Sequence, residues 1–277
     1  MSAILEILGR GLSSDVGDIL DRYYWLSAGP DVEQLERTCR EKGKAAESAV
    51  LNDPRSHLGE SFKALRTSVL LSSAEKPPRT RLITSMVSGE GKTSTSINFA
   101  VATAMSTRRT LLVDGDLRKP NVHKVFGLKN VKGLSTYLAG VSDDDIIQAT
   151  SVDNLSIITP GPVPPNPSEL LSAGRMGDLI LRLRDEYDVI IFDSSPILTV
   201  ADSLVLSRSM DTVILVARAA KTTFEMINRG VRSLRDIKAD ILGVVINAYD
   251  EKRSGYYYYR YKDYNYIGEA GIEKPPE

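Results

Sequence analysis

One segment of the chain combines the residue types and the spacing that bind phosphate: Ser88-Gly89-Glu90-Gly91-Lys92-Thr93. Glycines let the backbone turn its N–H groups toward phosphate oxygens, and a helix that starts at Thr93 adds a partial positive charge. A lysine in this position reaches the β and γ phosphates of a nucleotide, and the hydroxyl that follows it can ligate Mg²⁺. The segment therefore predicts a Mg²⁺-nucleotide site, which also includes the adjoining Ser94.

The segment departs from the usual phosphate-loop pattern six residues before the lysine, where Met86 replaces a glycine. A Gly-rich turn without chemical meaning is the alternative, but the apolar run before it, the helical pattern after it and the Gly-Lys-Thr sequence argue against that alternative. Val87 occupies the position at which partitioning and cell-division ATPases of the deviant phosphate-loop group carry a second lysine. This residue argues against a partitioning ATPase or an iron-protein reductase.

Three carboxylates follow apolar runs of the sequence. Asp114 and Asp116 come after one run, and Asp193 comes after another, at the usual Walker B position. Such groups can hold Mg²⁺ through water or accept a proton from an attacking hydroxyl. A lone aspartate after a strand more often caps a helix or forms a turn, but two such strand ends beside a phosphate loop favour the chemical role. Arg118 can add charge stabilisation or form a packing ion pair.

The elements that must position these residues alternate along residues 56–249. The predicted strands are Arg81–Val87, Thr110–Val113, Leu155–Thr159, Val189–Phe192, Thr212–Ala217 and Ile241–Ile246. The predicted helices are Thr93–Met105, Arg175–Tyr187 and Thr222–Ile237. Short, uninterrupted β-rich runs are typical of parallel strands that are buried on both faces. The alternation predicts an α/β fold with a doubly wound, mostly parallel sheet, whose ligand lies at the carboxyl ends of the strands.

Composition excludes several functional classes. The 277 residues include 35 Lys and Arg against 36 Asp and Glu, a net charge of −1, which argues against mainly electrostatic nucleic-acid binding. The longest apolar runs hold about five residues, whereas a membrane-spanning helix needs about 20. Cys39 is the only cysteine, so we expect no intrachain disulfide and a reducing cytoplasm. We divide the chain into an N-terminal extension of unknown role (1–55), with helical patterns at Val16–Leu26 and Asp31–Lys42, a core domain (56–249) and a flexible tail (250–277).

The tail is unusually rich in tyrosine. Of the 12 tyrosines in the chain, seven lie there: Tyr256, Tyr257, Tyr258, Tyr259, Tyr261, Tyr264 and Tyr266. An edge strand or an aromatic packing segment is the alternative, since tyrosine favours strands. Four adjacent tyrosines do not alternate between two faces, however, and neighbouring charged residues keep the segment solvated. Beside a phosphate-transfer site we expect these tyrosines to be phosphorylated, each gaining about −1.5 to −2 charges.

Together these features resemble the bacterial tyrosine kinases, the family of capsule and exopolysaccharide autokinases whose fold is unrelated to that of eukaryotic kinases. The matching features are the phosphate loop without a second lysine, Asp114-x-Asp116-x-Arg118 with Lys119-Pro120 and His123, Asp193-x-x-Pro196, the segment Pro164–Leu171 and the tyrosine-rich tail. The resemblance covers about residues 56–266. It implies a P-loop NTPase fold of the deviant Walker A type and the cofactors ATP and Mg²⁺.

The resemblance also implies roles for individual residues. Asp114 would activate the tyrosine hydroxyl, and Asp116 and Asp193 would organise Mg²⁺ together with Thr93; the sequence is compatible with any permutation of the three aspartates. Lys92 and Arg118 complete the predicted catalytic set, and Asn247 matches the position that contacts adenine. Family members assemble into rings through a Glu-x-x-Arg-x-x-Arg helix, which here has Glu60, Lys63 and Arg66. Because lysine lacks the planar donor fork of arginine, assembly would differ in detail. The alternative is an exposed helix face with i,i+3 charge pairs.

We therefore expect an ATP-dependent protein-tyrosine autokinase that phosphorylates its own tail between protomers and regulates polysaccharide polymerisation or export. The expected partners are a separate transmembrane activator, further copies in a ring, other protein substrates and a tyrosine phosphatase, at the cytoplasmic face of the membrane. One alternative is a nucleotide-switch ATPase that positions cargo, against which Val87 and the tail argue. The other is a non-catalytic scaffold phosphorylated by another kinase, against which the intact lysine and three aspartates argue.

Overall fold

The computed structural model describes residues 23–27, 48–72, 77–142 and 145–249. Its strands are β1 (Tyr23–Ser27), β2 (Thr80–Ser85), β3 (Thr110–Asp114), β4 (Ile147–Ala149), β5 (Leu155–Ile158), β6 (Val189–Asp193), β7 (Thr212–Arg218) and β8 (Ile241–Tyr249). Its helices are α1 (Ala49–Asn52), α2 (His57–Leu71), α3 (Lys92–Ala104), α4 (Val122–Val125), α5 (Leu134–Leu138), α6 (Pro167–Leu171), α7 (Gly174–Glu186), α8 (Asp202–Ser207) and α9 (Phe224–Asp236).

Within the described residues the strands form one sheet, in the order β1-β8-β7-β2-β6-β3-β5-β4. Every neighbouring pair is parallel except β4 and β5. The crossover helices cover both faces of the sheet, so strands such as β2, β3 and β6 are buried along their whole length. The predicted doubly wound, mostly parallel sheet is confirmed, and each of the six predicted strands and three predicted helices is present.

Two apolar cores lie on opposite faces of the sheet, because alternate residues of each strand point in opposite directions. Leu82 belongs to the core that also contains the apolar stripes of α7 and α9. The stripe of α9 consists of Ile227, Val231 and Leu234, which recur at the spacing of a helix face. Ile83, the next residue of β2, belongs to the second core, together with buried residues of α2 and α3.

The structure differs from the sequence-based prediction at both edges of the sheet. The helix predicted from the pattern at Val16–Leu26 is wrong at its C-terminal end. There Tyr23–Ser27 forms strand β1, which pairs in parallel with β8 and places Tyr23 beside Val244. Consecutive aromatic residues favour strands, and the edge of β8 offers unpaired backbone groups. The edge strand Ile147–Ala149 was not predicted, because three residues are too few for a periodic pattern. The helical pattern at Asp31–Lys42 lies outside the described residues.

The last part of the N-terminal zone is attached to the core domain. Val50 is fully buried in the same apolar core as Phe62. Its backbone N–H donates a hydrogen bond of 2.8 Å to Oδ1 of Asn98 on α3. The division of the chain at residue 55 stays a prediction, as does the division at residue 249, because the tail lies outside the described residues.

Asp211 connects the start of β2 to the end of α7 through hydrogen bonds. Its Oδ2 accepts hydrogen bonds from the backbone N–H groups of Arg79 and Thr80, at 2.8 and 2.9 Å. Its Oδ1 accepts a hydrogen bond of 2.6 Å from Nη2 of Arg184. Burial raises the pKa of Asp211, but these hydrogen bonds outweigh it and hold the pKa below its ordinary value. The ionised carboxylate therefore stabilises the folded chain.

We expect Asp211→Asn to lower the free energy of unfolding by about 2 kcal/mol at pH 7, since charge-assisted hydrogen bonds are lost. A depressed pKa contributes stability above the unfolded-state value of about 3.9, and this contribution is lost as pH falls through the folded-state value. The deficit of the variant should therefore shrink below about pH 4. Urea unfolding of the wild type and of Asp211→Asn, at pH 7 and at lower pH, measures this deficit. The exposed Asp178→Asn serves as the control. A deficit independent of pH would contradict the role of the charge.

Candidate active site

The phosphate loop lies between β2 and α3, where the predicted helix begins at Lys92. Gly89 and Gly91 have φ angles of 82° and 92°, the left-handed region that favours glycine. A Cβ atom on Gly91 would lie 2.0 Å from Nδ2 of Asn247, so no side chain fits there. The backbone therefore turns sharply into a helix whose N-terminus faces the loop, which is the arrangement that binds anions.

Hydrogen bonds of Glu90 stabilise the conformation of the phosphate loop. Its side chain is fully buried, and Oε2 accepts a hydrogen bond of 2.8 Å from the backbone N–H of Val87. Its Oε1 accepts a hydrogen bond from the hydroxyl of Thr222. Its carbonyl oxygen accepts one of 2.9 Å from Nδ2 of Asn247. The side chain and the carbonyl oxygen of Glu90 are therefore engaged within the protein, and its backbone N–H is the group left for the predicted phosphate contact.

The structure brings together the lysine, the threonine and two of the predicted carboxylates. Nζ of Lys92 lies 2.8 Å from Oδ2 of Asp116 and 3.7 Å from Oδ2 of Asp193. The hydroxyl of Thr93 donates a hydrogen bond of 2.7 Å to Oδ2 of Asp193. Ser96, which the sequence did not indicate, donates one of 3.0 Å to Oδ1 of Asp193. Because β2, β3 and β6 are parallel neighbours, their carboxyl ends meet at this edge.

The charged groups of this cluster shift one another's pKa values. Burial lowers the pKa of Lys92, but the charges of Asp193 and Asp116 outweigh it and raise the pKa above its ordinary value. Burial raises the pKa of Asp116, but the charge and hydrogen bond of Lys92 outweigh it and lower the pKa. For Asp193 burial prevails and raises the pKa. Lys92 and Asp116 therefore form an ionised pair. For Asp193, burial disfavours the ionised form of the carboxyl group.

Asp114 is placed differently from the other carboxylates. It is fully buried, and its oxygens accept hydrogen bonds of 3.1–3.2 Å from the backbone N–H groups of Asp116, Asn121 and Val122. Burial, followed by the charge of Asp193, raises the pKa of Asp114 to about 8. The carboxyl group shapes the turn after β3 and does not line the cleft. This geometry does not favour Asp114 as the group that activates a tyrosine hydroxyl.

Arg118 forms a two-point packing ion pair, one of the two roles expected for it, with a partner that the sequence did not indicate. Its Nε and Nη2 donate hydrogen bonds of 2.7 and 3.1 Å to the carboxylate oxygens of Asp202, which is fully buried at the start of α8. The hydroxyl of Ser168, in the segment Pro164–Leu171, also donates to Asp202. The guanidinium therefore has a packing role in this structure, while its exposed part lines the cleft.

These residues surround a cleft of about 260 Å³. It is lined by Ser88, Gly89, Gly91, Lys92, Thr93, Ser94, Asp116, Arg118, Lys119, Ser195, Pro196, Thr199 and Val200. Asp114, Asp193, Glu90 and Asn247 are not part of the lining. Lys221 was missed by the sequence reasoning; its Nζ donates a hydrogen bond of 3.1 Å to the carbonyl oxygen of Ser88. The hydroxyl of Thr93 and the carboxylates of Asp193 and Asp116 are hard oxygen donors of the kind that hold a partly hydrated Mg²⁺.

The residues predicted for assembly lie on α2. Nζ of Lys63 pairs with Oε1 of Glu60 at 2.7 Å on an exposed face. Nη1 of Arg66 donates a hydrogen bond of 3.0 Å to the carbonyl oxygen of Ala102 on α3, so part of this guanidinium is used within the chain. The seven tail tyrosines lie outside the described residues. In the part of the chain that the structure describes, no helix has the length and apolar character needed to cross a membrane.

A glycine-rich loop between a buried strand and a helix, with aspartates at the ends of the adjacent parallel strands, defines a nucleotide-binding protein of the P-loop NTPase class. The family described as the CobQ/CobB/MinD/ParA nucleotide binding domain matches residues 82–268. Within this class the chain belongs to the bacterial tyrosine kinase family, as its relatives establish. It is 38% identical over 215 residues to tyrosine-protein kinase YwqD of Bacillus subtilis, which covers 77% of this chain and 91% of the relative.

Other relatives agree. The chain is 37% identical over 216 residues to the putative tyrosine-protein kinase CapB of Staphylococcus aureus, which covers 77% of this chain and 95% of the relative. Among solved structures, the kinase domain of Escherichia coli tyrosine kinase ETK has a TM-score of 0.74 at 32% identity, covering 86% of this chain and 94% of that one. The septum site-determining protein MinD of Pyrococcus horikoshii, complexed with Mg-ADP, has a TM-score of 0.52 at 27% identity, covering 61% and 69%.

Proposed function

We propose that the chain is a Mg²⁺- and ATP-dependent protein-tyrosine autokinase. The observation that carries this proposal is the position of Lys92. It is held between Asp116 and Asp193, at the start of a helix behind a glycine-rich loop. An ammonium group held between two carboxylates can turn to a nucleotide phosphate, and Mg²⁺ held by Thr93 and Asp193 would then supply positive charge beside Asp193. The kinase names of the relatives support tyrosine as the acceptor.

The phosphate loop, the start of α3 and the residues around them then have defined tasks. The backbone N–H groups of the loop and of the N-terminus of α3 bind phosphate oxygens. Lys92 stabilises negative charge that develops on the transferred group. The oxygens of Thr93 and Asp193 would hold Mg²⁺, which would supply positive charge beside the phosphate oxygens. Asn247, fixed behind the loop by its hydrogen bond to Glu90, lies at the position proposed for adenine recognition.

We assign proton acceptance from the tyrosine hydroxyl to Asp116 rather than to Asp114. Asp116 lines the cleft, whereas the oxygens of Asp114 are engaged by three backbone N–H groups. The lowered pKa of Asp116 depends on Lys92, so it rises when Lys92 turns to the nucleotide. The carboxylate thereby becomes a stronger base at the moment when it is needed.

The two alternative functions have less support. A partitioning or positioning ATPase would need the second lysine that Val87 replaces. The likeness to MinD covers 61% of this chain, whereas the likeness to the ETK kinase domain covers 86%. A non-catalytic scaffold would have no need of a lysine held by two carboxylates.

We further propose that the tail is phosphorylated between protomers and that the reaction regulates polysaccharide polymerisation or export. β8 ends at Tyr249, and an extended chain from there to Tyr256 reaches about 23 Å. This length allows a neighbour's cleft as well as the chain's own, and the family resemblance favours the neighbour. A ring of protomers, other protein substrates, a separate transmembrane activator and a tyrosine phosphatase belong to the same proposal, as does recruitment to the cytoplasmic face of the membrane.

We expect Lys92→Met to reduce autophosphorylation by about 10²–10³-fold, the value of one donor to transition-state charge. Transfer of radiolabel from γ-labelled ATP to the chain measures this loss, and circular dichroism checks that the variant is folded. Lys124→Met is the matched control, because Lys124 is exposed on α4 and does not line the cleft. Wild-type transfer by a folded Lys92→Met chain would refute the assigned role.

The three aspartates should respond differently to replacement by asparagine. Asp193→Asn should raise the Mg²⁺ concentration needed for half-maximal rate, because it weakens a metal ligand. Asp116→Asn should lower the rate at saturating Mg²⁺ by about 10²-fold or more, because the base is lost. Asp114→Asn should lose less of the maximal rate than Asp116→Asn. A larger loss for Asp114→Asn would return the base to Asp114.

Transfer between protomers is tested by mixing two chains. One carries Lys92→Met and an intact tail, and the other is active but has all seven tail tyrosines replaced by phenylalanine. We expect radiolabel on the inactive chain, at a rate that rises with the concentration of the active one. An inactive chain that stays unlabelled, while the wild type labels itself under the same conditions, would mean that transfer is intramolecular.

A further inference from the structure

A second cavity of about 260 Å³ lies at the amino ends of the strands, away from the phosphate loop. It opens between the C-terminal halves of α2 and α3 and the starts of β2 and β6. It is lined by Arg66, Thr67, Val69, Leu70, Arg81, Phe99, Thr103, Ser106, Arg108 and Val189. We refer to it as the arginine cavity, since three of these residues are arginines and none is acidic.

Arg81 is a buried, positively charged residue in the wall of this cavity. The residue is 4% exposed, yet its Nε and Nη1 have no hydrogen-bond partner among the described residues. Burial, followed by the charge of Arg108, lowers the pKa of Arg81 to about 10, although the charge of Asp211 opposes them. The guanidinium is therefore still positive at neutral pH. A buried cation with unsatisfied N–H groups is costly, and an oxyanion in the cavity would offset the positive charge of Arg81.

The other two arginines of the arginine cavity also favour an anion, whereas its three hydroxyls are engaged within the protein. Arg66 and Arg108 are half-buried beside Arg81 and add two further positive charges. The three hydroxyls, those of Thr67, Thr103 and Ser106, each donate to a backbone carbonyl of their own helix or turn. Asp211 does not neutralise the cavity fully, because its oxygens already accept hydrogen bonds from Arg184 and from two backbone N–H groups.

The rest of the lining is apolar and favours more than a bare ion. Val69, Leu70, Phe99 and Val189 lie beside the arginines, and Leu70 is 38% exposed. Burying an apolar group against such a wall is favourable. Planar guanidinium groups bind phosphate oxygens at two points. Arginines next to an apolar wall therefore match a phosphate that is attached to an aromatic ring.

We propose that the arginine cavity binds an aryl phosphate, the side-chain group of a phosphotyrosine. The binding does not depend on the kinase function, but the identity of its source does: under the proposed function, the source is a phosphorylated tyrosine of this chain's own tail. From Tyr249 an extended chain reaches Tyr264 over about 50 Å, enough to pass the sheet to the opposite end. A tail held there keeps its negative charge away from Asp116 and Asp193 and leaves the cleft free for the next substrate.

The test is calorimetric titration of the full chain with phenyl phosphate, using the variant whose seven tail tyrosines are phenylalanine, so that no phosphorylated tail competes. We expect binding that Arg81→Gln or Arg108→Gln weakens at least about tenfold, because charge-assisted hydrogen bonds are lost. Arg109→Gln is the matched control, since the neighbouring Arg109 pairs with Asp188 and does not line the cavity. Lys92→Met should leave this binding unchanged, which separates it from binding at the phosphate loop.

Two further probes identify the ligand class. Inorganic phosphate should bind more weakly than phenyl phosphate, and a peptide with the sequence of residues 260–266 should bind only when Tyr264 is phosphorylated. Equal binding of inorganic phosphate would overturn the aryl part of the proposal. Unchanged binding in both Arg81→Gln and Arg108→Gln would overturn the site itself. None of these titrations requires kinase activity, so failure here and failure of the proposed function are separate outcomes.

Discussion

The site depends on one constraint: a single ammonium group faces three aspartates at the carboxyl edge of the sheet. Parallel pairing of β3 and β6 places Asp114 directly beside Asp193, and like charges at close range in a buried site oppose each other. The chain relieves this conflict by pairing Lys92 with Asp116 and by raising the pKa of Asp114 to about 8. A nucleotide with its metal ion would supply both the phosphates that attract Lys92 and the cation that the carboxylates lack.

The departures of the phosphate loop from the usual motif have structural explanations. Met86, which replaces a glycine, is fully buried, and a Cβ on Gly230 of α9 would meet its side chain at 3.4 Å. The residue thus packs the loop onto a neighbouring helix. Glu90 ties the loop to Thr222, beyond the end of β7, and to Asn247 in β8. The shape of the loop is therefore maintained by elements that follow it by more than 100 residues.

Sequence patterns predicted the central strands because buried parallel strands are short, apolar and β-rich. They also predicted that Lys92, Asp116 and Asp193 converge, because parallel strands end at one edge. They did not predict β1, whose partner β8 lies more than 200 residues away, or the pairing of Arg118 with Asp202 across 84 residues. Nor could spacing alone separate Asp114 from Asp116. Asp114 ends β3 and Asp116 comes two residues later, and only the path of this turn decides that Asp114 accepts three backbone hydrogen bonds while Asp116 lines the cleft.

A net charge of −1 conceals a separation of charge along the strands. Their carboxyl ends carry Asp114, Asp116 and Asp193 together with Lys92, Arg118 and Lys119, whereas their amino ends carry Arg66, Arg81 and Arg108 around a cavity without acidic lining. The carboxylates of the first arrangement favour a cation, which a metal ion bound with the nucleotide would supply. The second attracts a phosphate without any metal. Under the proposed function, a phosphorylated tyrosine without a metal ion would therefore meet fewer carboxylates at the amino ends of the strands than at their carboxyl ends.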